Sequence, residues 1–223
     1  MDIQTLLYPG KHHPLYCEDH VFYQYLDEDW FIGAVMDGCS SGKDSHFASA
    51  LYMKTIQKAC NQIGITKRDQ SGAHLTSEGH EAIGTRILNG LFEDVQRTHR
   101  DLSLDVIEML STLLLLVYSI DDRSAWINVS GDGLIINNGE RIEIDQQNMP
   151  DYLAYHIDMD VAEWLGTHTR TFAFQDVRDL IISTDGVLKL HPDPLEESGI
   201  KDPISLLLGK SGKVEFFNLR HRS

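Results

Sequence analysis

Cysteine is scarce, and the three present (Cys17, Cys39 and Cys60) have an odd count and no C-x-x-C spacing. That excludes a disulfide framework and argues against a structural zinc site, leaving free thiols. Long apolar runs are missing too: no stretch approaches the roughly 18–20 residues needed to cross a bilayer. The opening Met-Asp-Ile-Gln lacks the basic segment and apolar core of a secretory signal. A cytoplasmic location with no membrane partner is therefore expected. Basic residues are few, 19 Lys+Arg against 34 Asp+Glu, for a net charge of −15. Such a surface repels nucleic acid and gathers cations near carboxylate clusters. "RTHRD" (97–101) and "RHRS" (220–223) are too small to reverse that. Neither a Pro-rich linker nor an internal repeat divides the chain, so residues 1–223 read as one domain.

What is present is a set of strand and helix patterns without regular βαβ alternation. "HVFYQYL" (20–26) and "WFIGAVM" (30–36) read as adjacent strands. Apolar residues at helical spacing from Phe47 to Ile63 predict a helix over 44–63, with Asp44 or Ser45 as its cap. A polar loop is expected over 64–77, then a second helix from about Ser77 with Ile83, Ile87, Leu88, Leu91, Phe92 and Val95 on one face. Residues 104–110 extend that helix or turn. A meander follows: "STLLLLVYSI" (111–120), "AWINVSG" (125–131), and a hairpin in "LIINNGERIEI" (134–144) around Asn138-Gly139, both tolerant of positive φ. Residues 146–170 read as irregular, 171–175 and 179–184 as strands, and 202–209 as a short helix. The order suggests α+β layers and not a doubly wound parallel sheet.

The stretch "VMDGCSSGKDS" (35–45) contains a Gly-Lys that invites comparison with a phosphate-binding loop. The spacing from Gly38 to Gly42 is one residue short of G-x-x-x-x-G-K-[ST], and Asp44 replaces the hydroxyl that such loops need. A carboxylate there would repel phosphate. The residues from 39 to 45 read instead as a strand-to-helix turn. Carboxylates gather at strand ends elsewhere: Glu18 and Asp19 before 20–26, Asp37 after 30–36, Asp132 after 125–131, and Asp185 after 179–184. Asp37, Asp132 and Asp185 are each followed by Gly, which lets a backbone carbonyl approach a ligand. Each Asp-Gly alone is commonly a turn; together they offer the oxygen donors that Mg²⁺ or Mn²⁺ prefers.

"CEDH" (17–20), "FIGAVMDGCSSG" (31–42), "STLLLLVYSIDDRSAWINVSGDG" (111–133) and "DLIISTDGV" (179–187) resemble, in that order, the motif series of the metal-dependent PP2C-type (PPM family) protein phosphatases, in a compact bacterial-like form. The resemblance implies an α-β-β-α sandwich of two antiparallel sheets flanked by helices. It also implies a centre of two Mg²⁺ or Mn²⁺ ions. Asp37 would bridge the ions and the Gly38 carbonyl would bind one. Asp185 would hold the other, Glu18 and Asp19 would bind directly or through water, and Asp132 would support a weaker third site. Catalysis would centre on Asp37 and Asp185. The implied reaction is hydrolysis of phosphoserine or phosphothreonine in a phosphoprotein, the product of a cognate kinase, by a hydroxide held between the metals. No phosphoenzyme is implied, so Cys39 need not be a nucleophile.

The chain departs from the family pattern in places. Pro14 stands where a phosphate-binding Arg is usual, leaving Lys11 and His13 as candidate substrate-phosphate residues. His12-His13 read equally as a surface loop. Cys39 replaces a common His and Gly133 a Ser. Only 53 positions separate Asp132 from Asp185, which implies a reduced flap beside the site. The Asp that opens the family's last strand has no counterpart up to Ser223, so that strand is missing or lies further on. These departures motivate two alternatives: a catalytically impaired regulatory or binding module on the same fold, and a phosphomonoesterase for small molecules.

Overall fold

The structure, a computed structural model, describes residues 1–5, 7, 17–42, 44–69, 79–147 and 149–189. Met1–Asp185 form one compact unit and Gly186–Ser223 another. Of the second, residues 186–189 are described, within a 3-10 turn Asp185–Lys189. The predicted helix at 202–209 lies outside the described residues.

Among the described residues, eight strands make two antiparallel sheets. Strands β1 (Asp19–Tyr25), β2 (Trp30–Asp37), β3 (Leu113–Ser119), β4 (Ser124–Ser130) and β7 (Arg170–Phe174) form the larger, in the order β1-β2-β3-β4-β7. Strands β5 (Gly133–Asn137), β6 (Glu140–Ile144) and β8 (Leu180–Ser183) form the smaller, in the order β6-β5-β8. The described residues hold three α-helices: α1 (Ser45–Asp69), α2 (His80–Leu102) and α3 (Val161–Thr167). This is the α+β architecture that the sequence pattern suggests, with the two antiparallel sheets that the resemblance implies.

Why β2 and β3 read as continuous apolar runs is now clear, because both of their faces are buried. Ile32, Ala34, Met36, Leu113, Leu115 and Val117 point toward α1 and α2, where they meet Tyr52, Ile56, Ile87, Leu88 and Leu91. Phe31, Val35, Leu114 and Leu116 point the other way and pack with Ile135, Ile144 and Ile182 of the smaller sheet. The larger sheet is thus the middle of a sandwich, helices on one face and the second sheet on the other.

Three expectations need correction. Helix α1 runs through Gly64 to Asp69, so the loop expected over 64–77 does not begin at 64. A single glycine costs about 1 kcal/mol relative to Ala, which a long packed helix offsets. Residues 146–170 are not wholly irregular: they hold a 3-10 turn Leu153–His156 and helix α3, capped by the Asp160 carboxylate accepting from the Ala162 N–H at 2.8 Å. With seven residues and Trp164 as its buried anchor, α3 is too short to show a period. The meander is also split. β3 and β4 pair in one sheet while β5 and β6 pair in the other, the chain crossing between them at Gly131, whose φ of 86° disfavours a side chain.

The hairpin turn at Asn138-Gly139 is present, with φ of 52° and 89°. Residues 104–110 turn, as a 3-10 segment Val106–Met109 closed by an Asp105/Glu108 capping box. No helix among the described residues is long and apolar enough to cross a membrane.

Candidate functional site

Asp19 opens β1 and Asp37 closes β2, and the antiparallel register sets them directly opposite each other. One residue further out, the Gly38 N–H donates to the Glu18 carbonyl at 3.1 Å. Because N–H and C=O of one strand residue point to the same side, the Gly38 carbonyl also faces the β1 edge beside Glu18. The Glu18 carboxylate accepts from the Ser40 hydroxyl at 3.2 Å.

Asp37 is held by the residue that leads into β3. Its N–H donates to Thr112 Oγ1 at 3.0 Å, and its carbonyl accepts from the Thr112 N–H at 2.8 Å. Two bonds to one neighbour leave the backbone of Asp37 little freedom, so the carboxylate leaves the sheet from a rigid mount. Thr112 is itself buried.

The smaller sheet delivers the next residues. β8 pairs with β5 from Leu134↔Ser183 inward, and Thr184 follows β8 at once. The Thr184 hydroxyl donates to Asp19 Oδ1 at 2.8 Å, tying the end of one sheet to the end of the other. Burial raises the pKa of the Asp19 carboxyl; the Thr184 hydrogen bond opposes this, and the charges of Asp185 and Glu18 add to it. Cys17 is affected similarly: burial raises its thiol, with further contributions from the charges of Asp19, Asp37 and Glu18. Glu18, Asp19, Asp37 and Asp185 therefore share one electrostatic neighbourhood.

Asp132 lies between β4 and β5, buried, with its Oδ1 accepting the Gln146 N–H at 2.7 Å. Extending the β5–β8 register two residues past Leu134 and Ser183 leads to Asp132 and Asp185. Lys11 and His13 fall outside the described residues.

Three further residues near this site are not among the candidates that the sequence offers. Thr112 and Thr184 lie inside stretches that carry the motif series, "ST" before β3 and "STDG" after β8. Tyr152 has no signal, because its segment carries no period. It is buried, and its phenol is pushed up by burial, by a hydrogen bond with Cys39 and by the charge of Asp37.

Carboxylates at adjoining strand ends are a hard, oxygen-rich donor set of the kind Mg²⁺ and Mn²⁺ take. A cation there would offset the burial and the neighbouring charges that raise the Asp19 carboxyl. Among the described residues, three side chains whose ligand atoms already lie within 4.8 Å of one another are found elsewhere, at Asp151, His156 and His168.

Known proteins resemble the chain in fold. A bacterial serine phosphatase is similar in structure, with a TM-score of 0.56 at 14% identity over 94% of this chain and 85% of that one. The serine/threonine phosphatase Stp1 from Staphylococcus aureus gives a TM-score of 0.55 at 16% identity over 96% and 87%. Against the PP2C phosphatase domain and regulatory-domain fragment of SpoIIE from Bacillus subtilis, the chain spans half of that chain's length, with 87% of its own covered, 16% identity and a TM-score of 0.49. No curated protein matches the chain. The sequence model described as Protein phosphatase 2C matches residues 11–209. With the ordered acidic motifs, the two sheets and that match over most of its length, the chain belongs to the protein phosphatase 2C family.

Proposed function

We propose that the protein is a Mg²⁺- or Mn²⁺-dependent phosphatase that hydrolyses phosphoserine and phosphothreonine in proteins, acting as a single domain. The observation that carries this reading is the register that sets Asp19 opposite Asp37, with Thr184, the neighbour of Asp185, reaching Asp19 from the other sheet. Asp37 would serve both ions, the Gly38 carbonyl would bind one and Asp185 the other, and Glu18 and Asp19 would bind directly or through water. Asp132 would serve a third, weaker site. When bound, such ions supply a nucleophile at neutral pH and neutralise charge on the phosphoryl oxygens.

The chain's own residues do the positioning. Thr112 fixes the Asp37 backbone through both its N–H and its carbonyl, and the Thr184 hydroxyl orients one oxygen of Asp19. Ser40 steadies the Glu18 carboxylate. Tyr152 and Cys39 stand beside Asp37, and Cys39 would have no nucleophilic part. Lys11 and His13 would meet the substrate phosphate from the N-terminal segment.

Hydrolysis of p-nitrophenyl phosphate and of phosphoserine and phosphothreonine peptides, measured with and without Mn²⁺, tests this. The wild-type protein is expected to turn over only with metal, and Asp37→Asn to fall to background. Lack of activity in the metal-loaded wild type would sink the enzyme reading and favour a binding module on the same fold.

A further inference from the structure

The segment after β6 carries a second set of donors that the acidic centre does not use. His156 bonds through Nε2 to Asp151 Oδ1, and His168 through Nδ1 to Asp151 Oδ2 at 2.8 Å. The two imidazoles are stacked, with centroids 3.6 Å apart and planes 24° apart. The side chains are partly buried, at 33% exposed for Asp151, 16% for His156 and 27% for His168. Two imidazoles and one carboxylate, converging within 4.8 Å, are borderline nitrogen-rich ligands, unlike the all-oxygen set at the strand ends.

We propose that Asp151, His156 and His168 form a separate site for a divalent transition metal of the Zn²⁺ class. This stands independently of the phosphatase reading. Neighbouring hydrogen bonds hold the backbone of two of the three residues in place. The Asp151 N–H donates to Gln146 Oε1 at 2.5 Å, and its carbonyl accepts from the buried Ser130 hydroxyl at 3.0 Å. The His168 N–H is held by the Trp164 carbonyl at 2.8 Å. Tetrahedral Zn–N and Zn–O distances of about 2.0–2.2 Å place ligands roughly 3.4 Å apart. The His168–Asp151 contact of 2.8 Å then opens by about 0.6 Å while the ion replaces the proton between them.

An ion bound there fastens the 3-10 turn at Leu153–His156 to the end of α3 and closes residues 151–168 into a loop. The same loop is tied through Gln146 to Asp132, since the Gln146 N–H donates to Asp132 Oδ1. The ion's task on this geometry is structural: it stiffens the short segment beside the acidic site.

Titration with Co²⁺, read by its visible absorption, tests the site in the full chain. The wild type is expected to bind one equivalent with the intense bands of a low-coordinate nitrogen-ligated ion, to exchange it for Zn²⁺, and to keep it in millimolar Mg²⁺. Asp37→Asn should retain the bands. His156→Gln and His168→Gln, shown to be folded by circular dichroism, should each weaken binding by more than about 100-fold, since loss of an outer partner alone costs about 10–100-fold. Protection of His156 and His168 from diethylpyrocarbonate by Zn²⁺ in the wild type supplies the same answer without substitution. Bands that survive both His changes, bands abolished by Mg²⁺ or by Asp37→Asn, absence of stoichiometric binding, or unprotected histidines would overturn the proposal.

Discussion

Asp19 and Asp37 face each other across the β1–β2 pair as partners in register, two carboxylates placed where a sheet ordinarily avoids like charges. Opposed like charges destabilise a strand pair by about 0.2–1 kcal/mol, and burial adds to the cost of ionising Asp19. In the presence of chelator, Asp19→Asn should therefore raise the melting temperature, by about 2–4 °C if the gain is near 1 kcal/mol. The amide oxygen can still accept from Thr184. With Mn²⁺ the order should reverse, because the wild type gains stability from binding that the variant has lost. Paired thermal melts in EDTA and in Mn²⁺ check both halves. A lower melting point for the variant in EDTA would show that the carboxylate is stabilised by the fold and not held for a ligand.

The contact between α2 and β4 gives a sharper structural prediction. A Cβ added to Gly84 would lie 2.3, 2.8 and 2.9 Å from three ring carbons of Trp126, so only glycine lets the helix lie on that indole. Gly64 in α1 is the opposite case, with nothing within 4 Å of such a Cβ. Gly64→Ala should stabilise by about 0.5–1 kcal/mol through backbone entropy. Gly84→Ala should destabilise despite the same propensity gain, since overpacking a core costs about 1–3 kcal/mol. Urea unfolding of the two variants decides it, and equal shifts of one sign would contradict the close seating of α2 on Trp126.

Much of this architecture is legible in the sequence. The double burial of β2 and β3 shows in "FIGAVM" and "LLLLV", and the Asn138-Gly139 turn carries its own backbone requirement. Asp37 and Asp185 stand out because each follows an apolar strand pattern and precedes Gly. Less legible is whatever depends on which strands share a sheet. β4 and β5 follow each other with similar patterns yet part at Gly131, and nothing in their alternation tells that apart from a plain meander. The Asp151–His156–His168 cluster is hidden for a related reason. Its members sit around a turn and at a helix end within a segment without periodicity, so their separation in sequence gives no hint of convergence.

Cys60 offers a test through pH. It lies on the inner face of α1, fully buried, and burial pushes its thiol from 9.0 to about 12. The thiolate is the reactive species, so at pH 8 only about one native thiol in 10⁴ would be ionised even if a reagent could reach it. Iodoacetamide should leave Cys60 unmodified in the native protein at pH 8 and modify it readily in denaturant, with mass spectrometry reporting the site. The stability linkage has a definite sign. A folded-state pKa above the unfolded one means that the native state holds the proton more tightly, so this contribution is complete below pH 9 and declines as pH rises from 9 toward 12. Cys60→Ala removes that slope. The stability difference between wild type and Cys60→Ala should be constant from about pH 7 to 8.5 and move against the wild type above about pH 9. A difference that stays flat to about pH 11, or native labelling as fast as in denaturant, would mean that the thiol is not sealed under α1.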